Sequence, residues 1–154
     1  MKVLVTGATG YIGGRLVPRL VDGGFEVRCM TRDPTRLSLD PWRDQVEVVG
    51  ADAMDPSSLD RALAGCDAAY YLIHAMAGSA RGFADIDRRA AENFARAAER
   101  QGLRRIVYLG ALGSDGEDLS DHLDSRHEVG RLLRSGDTPV TDLRAAGTIG
   151  SGSM

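Results

Sequence analysis

A short apolar run that breaks into evenly spaced glycines, and then into a helical pattern, constrains this chain more than any other feature. Val3-Leu4-Val5 leads into Thr6-Gly7-Ala8-Thr9-Gly10-Tyr11-Ile12-Gly13. From Tyr11 to about Asp22 the apolar positions Ile12, Leu16, Leu20 and Val21 recur at helical spacing, with Pro18 inside as an expected kink and Gly23-Gly24 as the stop. A strand, a glycine turn and a helix in that order form an anion cradle. Gly7 allows the tight turn, Gly10 lets a phosphate approach the backbone, and Gly13 lets the helix pack closely on the strand. The phosphates of a dinucleotide would then meet the unpaired N–H groups and positive dipole of the helix start, with Thr9, Tyr11 and Ile12 beside them. No Gly-Lys-Ser/Thr closes the turn, which excludes a P-loop.

The same rhythm continues to the end. Phe25 to Met30 reads as a second strand, Asp33-Pro34 opens a short helical turn through Leu39, and Val46-Glu47-Val48-Val49 is a third strand. Asp55-Pro56 pairs an N-cap with Pro at the first helical position, and that helix runs to about Ala64. A fourth strand lies within Asp67 to His74. A long helix follows from about Arg81 to Gln101, its stripe being Phe83, Ile86, Ala90, Phe94 and Ala97. Ile106 to Leu109 is a fifth strand, Ser120 to Leu133 a helix, and Val140 to Leu143 a sixth strand. Alternation of this kind predicts an α/β, Rossmann-type doubly wound parallel sheet of order 3-2-1-4-5-6 with helices on both faces. One domain over residues 1–150 and a frayed tail at 151–154 are expected.

Charge and cysteine content narrow the partners. The net charge of −3 gives no reason to expect nucleic acid or an anionic membrane. No apolar run approaches the ~18 residues of a membrane span, and no secretory pattern precedes the first strand, so a cytoplasmic location is expected. Cys29 and Cys66 read as buried strand thiols. His127-Glu128 resembles the start of a zinc helix motif, but Arg131 stands where the second His belongs, and no metal site is expected.

The end of the second strand bears on the choice of cofactor. An NAD site places an acid there, about 20 residues beyond the turn, to accept from the ribose 2′-hydroxyl. Here Met30-Thr31-Arg32 occupies that place, and Arg32 offers a cationic fork for a 2′-phosphate with the Thr31 hydroxyl beside it. Asp33 follows directly, and one residue of register would bring its carboxylate to the ribose. NADP(H) is therefore expected ahead of NAD(H), with the second left open.

Val5 to Gly13, Thr31-Arg32-Asp33-Pro34, Gly50-Ala51-Asp52 and Asn93-Phe94-Ala95-Arg96-Ala97-Ala98 together resemble the extended and atypical short-chain dehydrogenase/reductases. The nearest branch is the NmrA-like NAD(P)H-binding proteins and related nucleoside-diphosphate-sugar epimerases. The resemblance implies adenine contacts at Asp52, with Ala53 beside it, and places Ala75 along the cofactor. It also implies a Ser or Thr after the fifth strand and a Tyr-x-x-x-Lys on the next helix. This chain departs from both: Leu109-Gly110-Ala111 has no hydroxyl, Ser114 comes three residues late, and His122-Leu123-Asp124-Ser125-Arg126 puts His and Arg where Tyr and Lys are expected. His122 would be a poor acid beside Arg126, which disfavours the imidazolium, and a helix presenting both side chains to solvent is an equal reading. Members of the superfamily continue past the sixth strand into a substrate lobe, whereas this sequence stops at Met154. The expectation is an NAD(P)(H)-binding domain without catalysis as it stands. The alternative is an NADP-dependent reductase or epimerase using His122 and Arg126, and a fragment that binds no cofactor is disfavoured by the intact turn. The sixth strand is expected to be an open edge prone to self-association.

Overall fold

The computed structural model describes residues 1–74, 80–112 and 121–146, the side chains of 80–83 and 121–122 excepted. Its elements are β1 (Lys2–Thr6), α1 (Tyr11–Asp22), β2 (Glu26–Thr31), 3-10 turns at Pro34–Leu37 and Arg43–Gln45, β3 (Glu47–Gly50), α2 (Pro56–Leu63), β4 (Ala68–Tyr71), α3 (Ala80–Arg100), β5 (Arg105–Ala111), α4 (Asp121–Arg134) and β6 (Val140–Ala145). The six strands form one parallel sheet in the order β3-β2-β1-β4-β5-β6, as the alternation predicts. The order reverses between β1 and β4, where Val5 pairs with Tyr70.

Burial divides the molecule into two apolar clusters, one on each face of the sheet. The larger packs α2, α3 and α4 through Leu59, Leu63, Phe94, Val129 and Leu133 onto Leu4, Tyr71, Ile106 and Tyr108. Its aromatic centre is Tyr71, edge-on to Phe94 at 5.0 Å and to Tyr108 at 6.1 Å, a geometry that adds about 0.5–1.5 kcal/mol per pair beyond burial. The smaller cluster packs Val17 and Leu20 of α1, with Leu37 and Trp42 from the β2–β3 connection, onto Val5, Val27 and Cys29. The two faces are thus unequally covered.

Local chemistry explains most boundaries. Asp55 caps α2 by accepting from the Ser57 amide, with Pro56 at the first helical position. Helix α1 continues through Pro18. The second 3-10 turn, at Arg43–Gln45, has no periodic pattern to predict it, and β4 is shorter than the apolar run around it. Cys29 and Cys66 are buried free thiols, and burial pushes Cys29 up to about 12.

The foot of the sheet, opposite the glycine turn, is held by charge. Arg28 is buried and donates to the carbonyls of Ala62 and Ala64 at the end of α2. Glu47 sits 2.9 Å from its Nε and 2.8 Å from Lys2 Nζ. The Lys2 amide donates to Asp67 at 2.8 Å, and Arg104 pairs with the same carboxylate. These bonds align the starts of β1, β3, β4 and β5, so the opposite strand ends are set in register.

Candidate functional site

The turn between β1 and α1 is built around two glycine contacts. Gly7 takes a φ of +68° and its Cα faces the backbone of Leu72, just beyond β4. Gly13 is buried against the Gly7 carbonyl and Ala8 Cα, so close that any Cβ there would overlap the main chain. Gly10 instead is exposed and extended (φ −90°, ψ 170°), and its amide donates to the Gly7 carbonyl at 2.9 Å. Among the described residues a Cβ on Gly10 would meet only that carbonyl within 4 Å, at a tight 3.2 Å. No side chain caps α1 and no acid lies in its first turn. The positive helix end therefore lacks a negative partner from its own first turn, an arrangement that fits a diphosphate.

The remaining residues expected at the turn lie around it. Thr9 is exposed, Ile12 is half-buried, and the half-buried Tyr11 ring carries the Arg15 guanidinium 4.6 Å from its centroid. Thr6 was not singled out by the sequence reading, yet it joins the two halves of the sheet. Its buried hydroxyl donates to the Tyr70 carbonyl at 3.0 Å and accepts from the Leu72 amide at 2.9 Å. A polar side chain at the buried end of an apolar strand was the available signal.

At the end of β2, Arg32 is exposed and Thr31 half-buried. Asp33 is committed locally. Its Oδ1 accepts from the Thr35 amide at 3.0 Å and the Thr35 hydroxyl at 2.6 Å, capping the 3-10 turn. Those bonds, the hydroxyl's first, hold its carboxyl below the usual range. The Asp33 amide in turn donates to Thr31 Oγ1 at 3.2 Å.

The loop after β3 is braced from two sides. Asp52 is half-buried and its Oδ1 accepts from the Met54 amide at 2.9 Å. Ser58 of α2 accepts from the Asp52 amide and bonds the carbonyls of Asp52 and Asp55. Ala53 is buried, and its carbonyl accepts from Asn93 Nδ2 at 3.1 Å. His74 is exposed, while Ala75 and Ser114 lie outside the described residues, as does the 151–154 tail.

On α4 the residues expected at the Tyr and Lys positions divide. The His122 side chain lies outside what is described. Arg126 is half-buried, and its side chain turns toward β5. Its Nη2 donates to the Leu109 carbonyl at 2.6 Å, and its own carbonyl accepts from the Tyr108 hydroxyl at 2.9 Å. The half-buried guanidinium thereby finds an acceptor on the neighbouring strand. Burial pushes the Tyr108 phenol up to about 12, so it stays a donor. Among the described residues no group of His, Cys, Asp and Glu is arranged to hold a metal ion, and no helix is long and apolar enough to cross a membrane.

Residues 7–147 match the family model described as NAD(P)H-binding. The (4-alkanoyl-5-oxo-2,5-dihydrofuran-3-yl)methyl phosphate reductase of Streptomyces griseus is 34% identical over 143 residues, covering 92% of this chain and 46% of the reductase. The chain thus spans about half the length of that curated relative. Among solved structures, Citrobacter triphenylmethane reductase with NADP(H) superposes with a TM-score of 0.74 at 24% identity, over 94% of this chain and 49% of the reductase. Bordetella bronchiseptica WbmG with NAD gives 0.79 at 21%, over 94% of this chain and 52% of the enzyme. The family match over residues 7–147, most of the chain, shows that the chain belongs to the NAD(P)H-binding family.

Proposed function

We propose that this chain holds a nicotinamide dinucleotide with its pyrophosphate over Gly10 and the start of α1, and that it prefers NADP(H) to NAD(H). The observation that carries the preference is the state of Asp33. Its Oδ1 is engaged as the cap of the Pro34–Leu37 turn, which holds the carboxylate against Thr35 and leaves only Oδ2 to accept from a 2′-hydroxyl. Arg32 then stands exposed at the end of β2 as the cation suited to a 2′-phosphate. Thr9, Tyr11, Ile12 and Gly13 would line the diphosphate, Thr31 the ribose, and Asp52 and Ala53 the adenine.

The relatives' names cover reduction, and the same chemistry is open to the protein that carries this domain. Within the domain the residues favour holding the cofactor over moving a proton. The Arg126 guanidinium is drawn to the Leu109 carbonyl, and the end of β5 has no hydroxyl to assist a carbonyl substrate. The open edge of β6, with Leu143 exposed, is the surface through which copies would associate.

Calorimetric titration with NADPH and NADH tests the proposal. Arg32→Ala should weaken NADPH by about 10–100-fold, the worth of one charge-assisted contact, and leave NADH nearly unchanged. Equal losses for both cofactors would remove Arg32 from the 2′-phosphate. No binding of either cofactor by the unaltered chain would overturn the reading as a whole.

A further inference from the structure

Asn93 lies in the middle of α3, forty residues from the loop it touches, and belongs to none of the groups assigned so far. Its neighbours Ala90, Ala91, Phe94 and Ala97 are buried in the larger cluster, which fixes the rotation of the helix and aims Asn93 at the β3–α2 loop. There its Nδ2 meets the Ala53 carbonyl at 3.1 Å. The other bonds within the loop are short-range: Met54 amide to Asp52, Asp55 amide to the Asp52 carbonyl, and Ser58 to both. They give the loop its shape and tie it to α2, while the Ala51 amide, donating to the Thr31 carbonyl at 3.0 Å, anchors its start to β2. The Asn93 bond ties it to the helix that follows β4, across the line where the strand order reverses.

We propose that Asn93 is a positioning residue for the adenine half of the cofactor, a clamp that sets the place of the Asp52–Ala53 segment relative to α3. This rests on the reading of Asp52 and Ala53 as the adenine end of the site. The clamp acts through the main chain, so it serves the adenine end of NADPH and NADH alike and leaves the choice between them to Arg32. The chemistry is one-directional. An amide N–H donates to the carbonyl, whereas a carboxylate of the same size repels it and pushes the loop away.

The test uses three chains: unaltered, Asn93→Ala and Asn93→Asp. Each is titrated with NADPH and with 2′,5′-ADP, and each is melted without ligand. Both variants should lose affinity for NADPH and 2′,5′-ADP by the same factor, about tenfold for Ala and more for Asp. If the unaltered chain binds both probes and Asn93→Asp binds them equally well, the clamp is overturned while the cofactor site stands. If the unaltered chain binds neither probe, the site and the clamp fall together. A variant that does not fold leaves a second measurement on the unaltered chain. The Asn93 side-chain amide, followed by ¹⁵N NMR, should shift and exchange more slowly with water when 2′,5′-ADP is added. Indifference of that signal at saturating 2′,5′-ADP overturns the proposal.

Discussion

The Thr6 hydroxyl bonds the Leu72 amide at 2.9 Å, carrying the β1–β4 ladder one step past the point where Gly7 turns the main chain away. A side chain thus takes over from a backbone carbonyl, and the same hydroxyl donates to Tyr70. Thr6→Val keeps the shape and removes both bonds, leaving a part-buried donor and a part-buried acceptor without this partner. The expected cost is about 2–4 kcal/mol, seen as a fall in melting temperature of roughly 5–15 °C. Thr6→Ser should recover most of that loss. An unchanged melting temperature in Thr6→Val would show that water replaces the hydroxyl.

Gly10 and Gly13 should separate binding from stability. Gly10 has an extended conformation that valine tolerates and a Cβ there would press only on the Gly7 carbonyl, at 3.2 Å, so Gly10→Val should lose cofactor binding with a smaller loss of stability than a Cβ at Gly13 causes. Gly13→Ala drives a methyl into the Gly7 carbonyl, which should destabilise the fold by about 1–3 kcal/mol before any ligand is added. Melting curves with and without NADPH read both effects. Undiminished NADPH affinity in Gly10→Val would place the phosphates elsewhere.

Acid should loosen the foot of the sheet. Lys2 and Arg28 hold the Glu47 carboxyl below its ordinary value near 4.5. A carboxyl lowered by folding stabilises the native state above its unfolded pKa, and that contribution disappears as the pH falls through the lowered folded value. Stability should therefore drop below about pH 4.5 more steeply in the unaltered chain than in Glu47→Gln. Glu47 is half exposed, so the difference should be modest and shrink with added salt. Parallel acid slopes in urea melts of the two chains would remove Glu47 from this role.

Arg126 should behave as a brace. Arg126→Met removes the donor to Leu109, and Tyr108→Phe removes the donor to Arg126. Each should cost about 1–3 kcal/mol, and the double variant should cost less than the sum because both bonds join β5 to α4. Cofactor affinity should change little. The role as a brace would give way to one in proton transfer if the chain oxidised NADPH with a carbonyl substrate, and Arg126→Met and His122→Phe both abolished that oxidation without loss of stability.

The sheet order was legible because every strand but one is flanked by signals with a physical cause: glycine stops, Asp-Pro starts, and periodicity that switches between strand and helix. The glycine turn was legible for the same reason, since Gly7 answers a demand for positive φ and Gly13 one for close packing. What the sequence did not reveal are bonds between residues distant in the chain. Asn93 sits forty residues from Ala53 and Thr6 sixty-six from Leu72, and neither pairing leaves a local pattern. Arg126 was left between a catalytic place and an exposed one, because a helical wheel cannot show that its guanidinium reaches the Leu109 carbonyl of the neighbouring strand.

The unequal covering of the two sheet faces reaches beyond packing. Twenty-one described residues are buried in the cluster beneath α2, α3 and α4, against eight in the cluster beneath α1. The glycine turn and the end of β2 both stand over the smaller one, through Ala8, Cys29 and Leu37. Amide hydrogens of α1 and of the 34–45 segment should therefore exchange through partial openings that leave the other face intact. A dinucleotide bridging the turn and β2 would suppress those openings in proportion to its concentration relative to its dissociation constant. The lifetime of the weaker face, and with it exposure to proteolysis, then becomes a readout of how much nicotinamide dinucleotide surrounds the protein.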